Sequence, residues 1–220
     1  YGSATAIPAI TVDAQGRVTA ASTNAISAGV TSDAQNNTVA GTSAGDSFTG
    51  TDAQNNSLFG ANAGTAITSG DQNTAVGRDA LAATTTGHIN VAIGDYAMTS
   101  FSASGASWST AVGFRACNAT TTGSQFTAVG ADCLKSTTTG YSNVGVGYAA
   151  GAGLTTGHSN IAVGTSALSQ NVLGVGNTIV GNRAYRLGTT GNNNVGIGAN
   201  VLEDNTASCN TAVGNNALME

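Results

Sequence analysis

The sequence of 220 residues predicts an all-β protein: a parallel β-solenoid, or β-roll, of about eleven 17-residue coils, associated in parallel about one axis, with a homotrimer expected and the periodicity alone leaving three and two copies open. Three observations predict it. The first is a recurring phrase, of which Thr155-Thr156-Gly157-His158-Ser159-Asn160-Ile161-Ala162-Val163-Gly164 is one copy. With the last glycine of each copy set at position 0, the copies end at Gly41, Gly60, Gly77, Gly94, Gly113, Gly130, Gly147, Gly164, Gly181, Gly198 and Gly214. Most intervals are 17 residues, and a fixed short period marks a solenoid in which each repeat is one coil. The second is that nothing from 70 to 218 sustains a 3.6-residue apolar pattern, so helix is not expected. The third is a strand position from which charge is excluded in coil after coil.

Composition agrees with a narrow core repeated along an axis. Charged residues make up 8% of the chain, with 31 glycines and one proline. Leu, Ile, Val and Phe together number 40, or 18%, which is thin for one round core. A net charge of −5 is too small to hold such a chain expanded. No apolar run reaches membrane-spanning length, no signal peptide is legible, and six Lys plus Arg are too few for a nucleic-acid surface. The first residue is Tyr1 rather than Met, so a longer parent chain is expected.

Residues 1–32 break the period and read as a connector. Within it Thr11-Val12-Asp13 and Arg17-Val18-Thr19 flank Ala14-Gln15-Gly16 as a hairpin around a glycine turn. Residues 33–69 hold two divergent opening coils, marked by Asp33-Ala34-Gln35-Asn36-Asn37 and Asp52-Ala53-Gln54-Asn55-Asn56. Residues 70–220 are the regular array. There position −1 is always Val or Ile, −2 is Ala or Gly except at Ile179, and −3 is Thr, Val or Ile, which favours a strand. Position −4 is Asn except at Ser109 and Phe126, placed to form an amide ladder or to bond its own turn. A small apolar pair follows at +3 and +4, as in Ala167-Leu168, and most coils carry a glycine at −7, as at Gly157. Seventeen residues suit two strands of about four or five residues and two tight turns. The last coil ends open at Glu220, and a capping segment or further protein is expected there.

From the Gly77 coil onward, positions −4 to 0 and +3 to +4 carry no charge. Charges gather at +1, +2, +5 and +6, as in Arg78, Asp79, Lys135 and Glu203. Side chains of a strand alternate between its two faces, so a solvated face should tolerate Lys, Glu or Asp. Their absence from both faces predicts a strand buried once in its own coil and once against other copies about a common axis. Whether −1 or −2 meets that axis is left open by the pattern.

Asn90-Val91-Ala92-Ile93-Gly94-Asp95-Tyr96-Ala97 resembles the head repeat of trimeric autotransporter adhesins. The longer phrase from Thr155 to Gly164, and the opening stretch from Ile7 to Ser22, resemble fibre proteins of tailed phages. The repeat resemblance covers roughly residues 36 to 218. It implies a left-handed parallel β-roll in a three-chain assembly, and a structural, adhesive role in a phage tail fibre that presents a host-receptor-binding tip. The location implied is the virion tail fibre or a cell surface. A bacterial adhesin head is the alternative. An ice-binding solenoid is a further one, suggested by Thr84-Thr85-Thr86, Thr120-Thr121-Thr122 and Thr137-Thr138-Thr139, though Val172-Leu173 breaks that rank.

No catalytic, cofactor-binding or metal-binding residues are expected. Gly145-Val146-Gly147 and Gly196-Ile197-Gly198 are repeat copies rather than phosphate loops, since no βαβ unit surrounds them. His88 and His158 lie four coils apart, about 19 Å on a 4.8 Å rung. Cys117 and Cys133, at +4 and +3 of neighbouring coils, are expected on opposite faces and unpaired. The candidate contacts for a host receptor or glycan are Tyr96, Phe101, Trp108 and Phe114, around the two-residue insertion between Gly94 and Gly113. The other partner expected is the chain itself.

Overall fold

The computed structural model describes residues 6–25, 31–102 and 104–219, and it divides into two compact units, 1–31 and 32–220. In the first unit, strands Ala6–Val12 and Val18–Ala25 pair antiparallel, with a register shift between Thr11 and Val12. The turn is built by Asp13, whose Oδ1 accepts the N–H groups of Gln15 (3.0 Å) and Arg17 (2.9 Å) while Gly16 takes φ +77°. Asp33 repeats the device at the start of the second unit, accepting from Gln35 (2.9 Å) and Asn37 (2.8 Å) around left-handed Asn36.

The second unit is a β-solenoid without helix among the described residues. Eleven three-residue strands, from Thr38–Ala40 to Thr211–Val213, stack in parallel, position against equal position. Thr31–Ser32 closes one end of that sheet. Most coils carry one such strand rather than the expected two. The rest of the coil is turn, apart from a short parallel pairing of Gly87–His88 with Gly105–Ala106. Backbone conformation explains the difference. Each coil places left-handed residues at −5, 0, +2 and +4, as in Ser159 (φ 58°), Gly164 (131°), Ser166 (54°) and Leu168 (53°). Such residues end a strand wherever they fall.

The same conformations decide which way side chains point. Position −2 turns inward and is fully buried in most coils, whereas −1 and −3 turn outward, so −2 is the position that faces the interior of its own coil. Positions +3 and +4 both turn inward, because a left-handed residue breaks the alternation of a strand. For that reason Cys117 and Cys133 share one core, against the expectation of opposite faces, and both remain free. Burial pushes both thiols up, Cys133 to about 12.

Core volume is shared between +4 and +7. Where +4 is glycine (Gly45, Gly64, Gly151), +7 is large: Phe48, Ile67, Leu154. A Cβ on Gly64 would stand 2.7 Å from Ile67 Cδ1. Where +4 is Leu81, Leu134 or Leu168, +7 is Thr84, Thr137 or Asn171. The −4 asparagines form the amide ladder. Asn160 donates its N–H (3.0 Å) and Nδ2 (3.1 Å) to Asn143 Oδ1, and Nδ2 also reaches the Gly174 carbonyl (2.7 Å). Ser109 and Phe126 interrupt the ladder, with Ser109 N–H still reaching Asn90 Oδ1 at 3.3 Å. The zero glycine is fixed twice over: its φ lies near +130°, and a Cβ on Gly147 would sit 2.7 Å from the Gly164 carbonyl oxygen.

Candidate interaction surface

The outward face of the eleven-strand sheet is lined by −1 and −3 side chains alone. Val76, Ile93, Val129, Val146 and Ile197 are 37–44% exposed, and Ile161 at −3 is 40% exposed. Their neighbours at −3 are Thr or Val, and no charged side chain enters either file. At about 4.8 Å per rung and roughly 10 Å across three residues, the face spans on the order of 500 Å². The −1 file is apolar throughout, whereas −3 is Thr or Ser in seven of the eleven strands, so the apolar part of this charge-free face is a continuous stripe along −1.

Charge and aromatic groups sit on the flanks. After the strand, Arg78 lies over the Tyr96 ring (4.7 Å) and pairs with Asp95 (3.5 Å). Tyr96 meets Phe114 edge-on, with centroids 6.2 Å apart, and Arg115 lies over Phe114 (4.8 Å) while holding Asp132 at 2.8 Å. Farther along, Glu203 accepts from Arg186 Nε (3.0 Å) and from Arg183 (3.2 Å). The Arg186 hydrogen bond, with the charges of both arginines, holds the Glu203 carboxyl below its ordinary value despite desolvation. Before the strand, Tyr141 stacks on His158 with centroids 4.4 Å apart.

The four expected contact residues separate. Trp108 (57% exposed) and Phe114 (47%) are open, on opposite flanks of one coil. Tyr96 is half-buried beneath Arg78. Phe101 is fully buried at +7, in the file that holds Ile67 and Leu154, so it offers no surface to a partner. Sequence reasoning passed over Tyr141 and Tyr148, exposed on the two flanks of the Gly147 coil; their signal was an aromatic at a position that is polar or small in most coils. The threonine rank also divides. Thr84, Thr120 and Thr137 are buried, while the next row bonds coil to coil, as in Thr121 Oγ1 donating to Thr138 O (3.2 Å) and Thr155 Oγ1 to Val172 O (3.1 Å).

Among the described residues there is no cavity and no group of three or more His, Cys, Asp or Glu placed to hold a metal ion. Comparison with protein-family models, with curated proteins and with solved structures finds no match for this chain.

Proposed function

We propose that the chain is a structural segment of an attachment fibre, such as a phage tail fibre, in which three copies pack their outward sheet faces around one axis. The single observation that carries this reading is the charge-free outward sheet with its apolar −1 file, continuous over eleven strands. Water contact costs such a face free energy at every rung; fully burying an exposed Val or Ile contributes roughly 1.5–3 kcal/mol, and side chains still 37–44% exposed retain roughly two-fifths of that to gain. A stack of short strands joined coil to coil by backbone and side-chain hydrogen bonds suits a rod that holds a binding tip away from its particle, and three chains supply avidity. A bacterial adhesin head would use the same assembly. The ice-binding alternative loses support from the threonine row, whose innermost members lie in the core and whose next hydroxyls bond to carbonyls.

Light scattering on the purified chain tests the reading. The expected mass is near three times 21.3 kDa and persists on dilution, with no thermal hysteresis. A folded monomer overturns the axial assembly, and thermal hysteresis would favour ice binding.

A further inference from the structure

Apart from half-buried Tyr96 of the Gly94 coil, the large aromatic side chains on the flanks of the coil array fall in the same two coils on both flanks. At +1, after the strand, the aromatic residues are Phe114 and Tyr148, in the Gly113 and Gly147 coils. The other nine coils have Thr, Ala, Arg, Asp or Asn there. At −6 and −5, before the strand, the phenol and indole side chains are Tyr141 and Trp108, again in the Gly147 and Gly113 coils. Phe114 is 47% exposed, Tyr148 57%, Tyr141 46% and Trp108 57%. Six or seven residues, with the three-residue strand between them, separate the two flanks of one coil. Among the described residues, Trp108 and Tyr148 make no ring contact.

Rotation about the rod axis preserves height. Any parallel cyclic assembly with its sheets turned inward therefore sets the +1 flank of a coil against the −6/−5 flank of the same coil in the next copy. We infer that Phe114 packs on Trp108 of the next copy and Tyr148 on Tyr141 of the next copy, and that these two contacts fix the axial register of the chains. This rests on the axial assembly proposed above. The outward file repeats at every rung, about 4.8 Å, so a copy slipped by one coil would bury nearly the same apolar surface. The aromatic residues remove that degeneracy. Slipped one coil one way, Phe114 meets Ser124 and Gln125 and Tyr148 meets His158; slipped the other way, Phe114 meets His88 and Ile89. A two-coil slip matches at most one aromatic pair. Both pairs form in one register, and each adds aromatic contact beyond the area it buries.

The test combines crosslinking with the single tryptophan. In a Cys209→Ser background, Trp108→Cys with Phe114→Cys should give, on mild oxidation, a ladder ending at a covalent trimer, while either cysteine alone leaves monomers on a denaturing gel. Phe114→Cys with Tyr148→Cys should give no crosslink; a crosslink there would show antiparallel pairing and overturn the inference. On the unaltered chain, acrylamide should quench Trp108 several-fold less in the assembly than in an assembly-deficient Val163→Asp variant. An assembled mass with no Trp108–Phe114 crosslink and a freely quenched Trp108 overturns the register contacts, leaves the axial assembly standing, and returns these residues to an external receptor. A monomeric mass overturns both.

Discussion

Leucine in the left-handed region is the feature of this chain that residue propensities least suggest. Leu81, Leu134, Leu168 and Leu202 all take φ between 49° and 53°, where an L-residue with a Cβ loses roughly 1–2 kcal/mol. Each of them is fully buried, which contributes about 1.5–3 kcal/mol and offsets the strain. Glycine stands at the same position where a neighbour needs the room, and the same trade governs −2. A Cβ on Gly145 would stand 2.5 Å from Cys133 Sγ, because cysteine replaces the usual alanine at +3 of the preceding coil. Gly145→Ala should therefore destabilise by about 1–3 kcal/mol through overpacking. Adding Cys133→Ala should restore most of the loss, measured by thermal unfolding; no rescue would mean that the two side chains do not compete for one space. Glu203 gives a second expectation. Its carboxyl is held below the ordinary 4.5 by Arg186 and Arg183, so it binds protons less readily folded than unfolded. The sign follows from linkage: its stabilisation is present above pH 4.5 and is lost as pH falls through the folded value. Wild type should melt above Glu203→Gln at pH 6, and the gap should close toward pH 3. A gap undiminished between pH 6 and pH 3 would refute the linkage.

At the scale of the coil, the period, the strand centre and the asparagine ladder were legible because each rests on a residue type repeated at one position. The second strand was not there to be found. Left-handed residues at −5, +2 and +4 are written as Ser, Asp, Arg, Tyr and Leu as well as Asn and Gly, so no composition rule marks them. Phe101 was misplaced for a related reason: it follows a left-handed Met98 and closes the core at +7, although its neighbourhood in sequence looks like an exposed insertion. The zero glycine was recognised by its recurrence, but its second constraint, contact with the coil above, belongs to the stack. In the 220-residue chain Gly147 and Gly214 share the same φ, +131° and +128°, yet a Cβ on Gly214 meets nothing within 4 Å. Gly147→Ala should therefore cost more stability than Gly214→Ala, by at least about 1–3 kcal/mol for the added clash. Equal losses in denaturant unfolding would assign the glycine to backbone conformation alone.

At the scale of the whole coil array, excluding charge from both faces of the strand confounds two requirements that three neighbouring positions can separate. Ala162 faces the coil interior and is fully buried, Val163 faces outward, and Ser166 sits on the charged flank. A carboxylate at 162 enters a core where the adjoining groups are apolar or already hydrogen-bonded, at a cost of several kcal/mol unless it is paired. Ala162→Asp should therefore lose β structure outright by circular dichroism. A carboxylate at 163 leaves the interior of its own coil untouched. If copies meet about an axis, it brings like charges together at one height in a surface with no cation to answer them. Val163→Asp should then keep the β spectrum and fall to the single-chain mass of 21.3 kDa in light scattering, while Ser166→Asp keeps both. Unfolding of the Val163→Asp chain would show that the axial contacts are needed for the coil itself, as a narrow core predicts in the stronger form of the argument. An assembled, undisturbed Val163→Asp chain would show that the outward sheet meets water, and the axial fibre would no longer follow from this face.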